Sequence, residues 1–150
     1  MALEKERLQK KYKKAIDALA TLQEALVDLN ESQTLAQCAQ RDPERLYKTF
    51  RDSLVQRFEY TFDTTWKYLG EYLPAQGRIL EIKTPKAIFR ECLKAKLLSE
   101  KEVIQAIKMV DHRNLTAHGY DELLVEEISG SIPVYAVLLG ALLLRAKITE

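Results

Sequence analysis

Nine consecutive positions, "HRNLTAHGY" from His112 to Tyr120, hold both histidines of the chain together with Arg113, Asn114 and Tyr120. A histidine titrates near neutral pH and passes protons, an arginine offers a planar fork of donors that fits a phosphate, and an asparagine orients either one. The set suits phosphodiester chemistry without a metal. On a regular helix Asn114 and His118 share a face, whereas Arg113 and His118 point about 140° apart. Those two groups meet only where the helix breaks between them or where two chains bring them together, and Gly119 offers a break. The same residues also permit a plain structural reading. Asp111, Arg113 and Asp121 would then be a helix-end ion set, His118 a cap or a satisfied buried histidine, and Tyr120 a packing residue at a helix start.

Other familiar chemistries lack their residues. No glycine-rich phosphate cradle of the GxGxxG or GxxxxGK[ST] kind occurs. His112 and His118 are a poor fit to one helical face and have no carboxylate at metal spacing, so neither a metal nor a cofactor is expected. Cys38 and Cys92 are far apart without a CxxC pair, which points to a reducing, cytoplasmic setting.

The elements that must position the motif read as helices throughout. From Leu3 to about Asn30, Leu8, Tyr12, Ala15, Leu19, Leu22, Leu26 and Leu29 step by three and four, the stripe of a long amphipathic helix. Lys5, Arg7, Lys10, Lys11, Lys13 and Lys14 load its first turns with positive charge, as a solvated face or as a surface for RNA or nucleotide. Residues 31–42 read as a loop or short helical connector. Asp42 as N-cap and Pro43 at the first position open a second long helix, whose stripe runs Leu46, Phe50, Leu54, Phe58, Phe62, Trp66, Leu69 and Leu73. Its aromatics fit a core better than a base-stacking platform. Pro74 and Gly77 end it. Thr84 and Pro85 start a short helix, and Ser99 with Glu102 in capping-box spacing starts the helix that runs into the motif. Asp121 is expected to cap a helix from Glu122 to about Ile128, with Gly130, Ser131 and Pro133 resetting the chain before a terminal helix. That last segment, residues 132–144, is short of the roughly 20 residues that span a membrane, so a buried helix that packs on a second chain is expected.

The bulk numbers agree. With 150 residues, 47% of them hydrophobic and 30% charged, the chain reads as one soluble domain, residues 1–150. The charged N-terminus lacks the apolar centre of a signal peptide. A net charge of +1 gives no global attraction to nucleic acid, so any such site must be local. The fold class expected is all-α, an antiparallel up-and-down helical bundle with extra short helices.

"RNLTAHGY" resembles the Arg-x4-6-His signature of the HEPN family, here Arg113, four residues, then His118. The extended pattern Arg113, Asn114, Thr116, His118, Tyr120, Asp121, Glu122 resembles the branch of nucleotidyltransferase substrate-binding proteins and HepT-type toxins, and the likeness runs through the aromatic second helix and "TPKAIFREC". The resemblance implies a HEPN-like four-helix bundle forming a homodimer, with the motifs of two subunits in one cleft. It implies a metal-independent endoribonuclease acting on RNA, with His118 as general acid or base, Arg113 steadying phosphate charge and Asn114 in support. It further implies a minimal nucleotidyltransferase as antitoxin partner, which transfers AMP from an ATP-derived nucleotide to Tyr120. The branch also implies an alternative, a non-catalytic subunit that binds nucleotide or substrate for that transferase. His112 matches no position of the pattern and reads as a surface residue or a substrate contact.

Overall fold

Two stripes spaced by three and four residues leave two apolar faces that must be hidden from water, and they hide each other. In the computed structural model, which describes residues 2–117 and 121–148, α1 (Ala2–Asn30) and α3 (Pro43–Ala75) lie side by side. They run antiparallel, as the Arg7–Glu71 ion pair at one end and the Arg57 to Thr21 carbonyl bond further along show. Leu8, Ala15, Leu19 and Leu22 from α1 meet a core that includes Leu54, Phe58, Phe62, Leu69 and Leu73 from α3. The aromatic stripe is therefore core. Phe58 stacks on Tyr135, and Phe62 tilts against Phe89.

The connector between them contains a short helix, α2 (Ser32–Cys38). Asp42 caps α3 through the Arg45 amide, and Pro43 occupies the first turn. α3 runs through Pro74 to Ala75, one residue beyond its expected stop, and Gly77 takes the positive φ of 88° that ends the turn. α4 (Pro85–Lys94) has Thr84 as its cap. It packs so close to α3 that a Cβ on Gly70 would lie 3.1 Å from Ile88. α5 (Glu100–Leu115) opens with the full Ser99/Glu102 capping box. Chain sense alternates among the four main helices, α1, α3, α5 and α6, and every element among the described residues is helical.

One expected boundary is absent. Gly130, Ser131 and Pro133 do not separate two helices; a single helix, α6 (Glu122–Arg145), runs through them. Pro133 costs the Ser129 carbonyl its usual donor. Ile128, Ile132, Tyr135, Leu139, Leu142 and Leu143 nevertheless lie on one buried stripe, and burying six such side chains, at about 1.5–3 kcal/mol each, outweighs one lost backbone bond. At its far end the hydroxyls of Tyr12 and Tyr68 donate to the carbonyls of Leu143 and Ala146. The 24-residue α6 is long and apolar enough to cross a membrane by length and composition, and half of its most apolar window is buried against the rest of the chain.

α6 is tied to α3 by Arg51, whose side chain is 1% exposed. Its guanidinium meets Glu122 at 2.7 Å, Glu126 at 2.8 Å and Asp52 at 3.2 Å. α6 is tied to α5 by His112, and here the surface role or substrate contact expected of that residue is corrected. His112 is 6% exposed, and its Nδ1 lies 2.6 Å from the Tyr135 hydroxyl. Burial raises the Tyr135 pKa, so the hydroxyl keeps its proton and shares one hydrogen bond with the imidazole, as donor or acceptor according to the His112 tautomer. The pattern gave His112 no position; the helix phase of α5 turns it inward beside Met109 and Val110.

Burial also holds the His112 pKa below its ordinary value, because a charged imidazole there would lose its water. In the unfolded chain the same ring takes up a proton near pH 6.5. Below that pH the unfolded state binds the extra proton, so the stability from neutral His112 is present above about 6.5 and is lost as pH falls toward the lower folded value. Thermal melts between pH 7.5 and 5 should show a drop in Tm for the wild type that begins near 6.5 and is smaller for His112→Phe; equal drops would assign the loss to other groups.

Candidate functional site

α5 delivers the motif at its last turn. The helix ends at Leu115, with Thr116 as C-cap, so the break falls between Arg113 and His118 in the chain. His118 and Tyr120, the residues assigned proton transfer and AMP acceptance, lie outside the described residues, as does Gly119. Arg113 and Asn114 are both described. Asn114 is exposed at the helix end.

Arg113 is heavily engaged. Its Nε and Nη2 donate to the two oxygens of Asp63 at 3.3 and 3.1 Å, a bidentate pairing, and its Nη1 lies 2.9 Å from Glu59 Oε2. Nη1 also donates to the Thr116 hydroxyl, which in turn donates to the Arg113 carbonyl and closes the helix end. The hydrogen bonds to Asp63 raise the Arg113 pKa further, so the side chain is a fixed cation. It retains 21% of its side-chain exposure, enough to be approached from solvent.

The expected ion set of Asp111, Arg113 and Asp121 is not formed. Asp111 pairs with Lys86 of α4 at 2.6 Å. Asp121 caps α6 through the amides of Leu123 and Leu124. Arg113 turns instead to α3, whose two carboxylates sequence reasoning missed. Their signal was present: Glu59 and Asp63 follow Phe58 and Phe62 by one position, so an acidic ridge runs beside the aromatic one with the same four-residue step. Attention to the apolar stripe left its neighbour unread.

Between this cluster and α6 lies a cavity of about 130 Å³, lined by Val55, Glu59, Leu115, Thr116, Leu124 and Ile128. Ordinary ligand pockets begin at roughly 300 Å³. The cavity is therefore smaller than a ligand pocket, and it touches the Arg113 cluster through Glu59 and Thr116. No group of three or more histidine, cysteine or carboxylate side chains that could hold a metal ion occurs among the described residues.

Comparison with known proteins shows matches of long reach. Residues 10–147 match the family described as nucleotidyltransferase substrate binding protein like. A protein of Thermus thermophilus, known from a crystal structure, is 36% identical with a TM-score of 0.73, over 89% of this chain and 99% of that one. No curated protein matches. The helical bundle is thus shared with a solved relative, and the motif at the end of α5 lies inside the matched span. With nearly all of its length so matched, this chain belongs to the nucleotidyltransferase substrate binding protein like family.

Proposed function

We propose that this chain is the nucleotide- or substrate-binding subunit of a separate, minimal nucleotidyltransferase, and that its ligand's phosphate is received at Arg113. The observation that carries this reading is the family match over residues 10–147. The geometry of Arg113 supports it. A guanidinium held in a bidentate carboxylate pairing is already aligned for a phosphate, which presents oxygens at the same spacing. The ligand exchanges with Asp63 and Glu59 for the same donors, and Asn114 beside it orients the bound group.

A second reading is favoured by one specific observation, the sequence spacing of Arg113 and His118, which resembles the HEPN signature. In it the chain is a metal-independent endoribonuclease toxin. His118 moves the proton of the 2′-hydroxyl or the leaving oxygen, Arg113 and Asn114 attend the phosphate, and transfer of AMP to Tyr120 by the antitoxin partner blocks RNA from the same cleft. Both readings use a homodimer. An outer stripe on α6, Leu123, Val134, Val137 and Leu144, is 49–84% exposed and falls on positions repeating by sevens with Gly130 and Ala141, the seam a second helix would cover.

Calorimetric titration with AMP tests the first reading. Arg113→Ala should weaken binding about tenfold, the loss of a charge-assisted hydrogen-bond pair, while Asp63→Asn with Glu59→Gln should tighten it by removing the competing carboxylates. Unchanged affinity in Arg113→Ala would remove the phosphate from this residue. An RNA cleavage assay with metal chelated, on protein shown to be unmodified by intact mass, decides between the readings. Cleavage by the wild type that disappears in His118→Ala establishes the nuclease; none in either leaves the binding subunit. For assembly, sedimentation of the wild type should give a dimer at micromolar concentration and Val137→Glu a monomer; a wild-type monomer would remove the shared cleft.

A further inference from the structure

We infer that the groove between the first half of α1 and the middle of α3 is a binding path for a single strand of nucleic acid, ending next to Arg113. The chain as a whole is nearly neutral, so a basic face must be concentrated to matter. It is concentrated here. Lys10, Lys13 and Lys14, with a single carboxylate, Asp17, form one wall of the groove, and Tyr60 of α3 forms the other. The groove continues past Tyr60 to Lys11, Lys67 and Asp63.

Tyr60 is the informative side chain. Its neighbours on α3, Phe58 and Phe62, are 0% and 1% exposed and fill the core, whereas Tyr60 is 49% exposed and off the core stripe. It lies outside the buried core cluster, and the Lys14 ammonium stands 5.8 Å from its centroid. A flat ring under a cation, in a groove flanked by further lysines, offers both interactions that an unpaired nucleotide can use: a face for the base and a charge for the phosphate. A base stacks on Tyr60, and Lys14 shifts onto the adjoining phosphate. Lys10 and Lys13 make exposed pairs within their own helix, with Glu6 at 3.4 Å and Asp17 at 3.0 Å, which a phosphate readily replaces. An acidic peptide would satisfy the lysines and leave the ring unused.

Asp63 joins this groove to the motif. Its carboxylate lines the groove and holds the Arg113 guanidinium by two hydrogen bonds. A strand on Tyr60 and Lys67 therefore passes directly over the residue that restrains Arg113. The inference extends the ligand-binding reading above, since it supplies the strand whose end Arg113 receives, but it makes separate demands.

The test is fluorescence anisotropy of a labelled twelve-nucleotide oligouridylate with the full chain, at two salt concentrations, with thermal melts to confirm folding. Tyr60→Ala should weaken binding about tenfold and Tyr60→Phe should leave it near wild type, because stacking needs the ring and not the hydroxyl. Lys14→Glu with Lys67→Glu should weaken it further and flatten the logarithmic salt dependence by about 0.7 for each phosphate no longer neutralised. The charge-matched control, Lys94→Glu with Lys101→Glu on α4 and α5, should change affinity less than twofold. The inference is overturned by absence of binding at the lower salt, by wild-type affinity in Tyr60→Ala, by an equal loss in the control, or by polyglutamate competing as well as unlabelled RNA. AMP affinity, measured on the same proteins, keeps the two claims apart. If strand binding fails while Arg113-dependent AMP binding persists, only the groove is wrong; if AMP binding fails while the strand still binds through Tyr60, only the Arg113 reading is.

Discussion

A guanidinium removed from water must be surrounded by oxygens, and Arg51 meets that demand with Glu122 and Glu126 of α6 beside its own neighbour Asp52. Leaving so buried a charge without partners costs about 3–5 kcal/mol, so the first turn of α6 is held to α3 wherever the protein is folded. Arg113 makes the reverse bond, from α5 back to Glu59 and Asp63 of α3. The two clamps sit eight to twelve residues apart on one helix, about 12–18 Å along its axis. Both ends of the segment between Leu115 and Glu122, which carries His118 and Tyr120 of the motif, are thereby fixed to the same strut.

The clamps differ in strength, and the difference has a functional sense. Arg51 itself is 1% exposed although its carboxylates keep 45–54% of their surface, whereas Arg113 keeps 21% and its carboxylates 30–36%. Water reaches the guanidinium as well as the carboxylates in the Arg113 pairs, so each is worth about 1 kcal/mol or less. The Arg51 clamp is architectural. The Arg113 clamp is weak enough for a phosphate to exchange with it, yet keeps the fork oriented while no ligand is present.

Much of the frame was legible because local chemistry and tertiary packing agree in it. Asp42, Thr84 and Ser99 are caps by residue type and by geometry, and the three-and-four spacing of α1 and α3 is the core itself. Legibility failed where a long-range term overrode a local one. Pro133 reads as a break, but the buried stripe on both sides of it keeps α6 whole. His112, matching no position of the pattern, reads as a surface residue or substrate contact, but Tyr135, twenty-three residues on, gives it a partner in the core. At the candidate site, the pattern names Arg113 and Asn114 but not the Arg113 partners Asp63 and Glu59, since a surface carboxylate gains its meaning only from the helix that crosses it. His118 and Tyr120 rest on the motif alone.

Asp63 stands between two regions of opposite demand. On one side it must satisfy Arg113; on the other it borders lysines and an exposed tyrosine. A carboxylate placed against so many cations lowers the local attraction for anions, which is a cost for any surface that binds phosphate. That cost falls away if Asp63 acts as a placeholder whose charge is displaced when a phosphate arrives. Neutralising the placeholder would then strengthen binding, whereas removing a purely structural carboxylate would only loosen α5 from α3. The sign of that one change separates a site built to receive an anion from a salt bridge that merely holds two helices together.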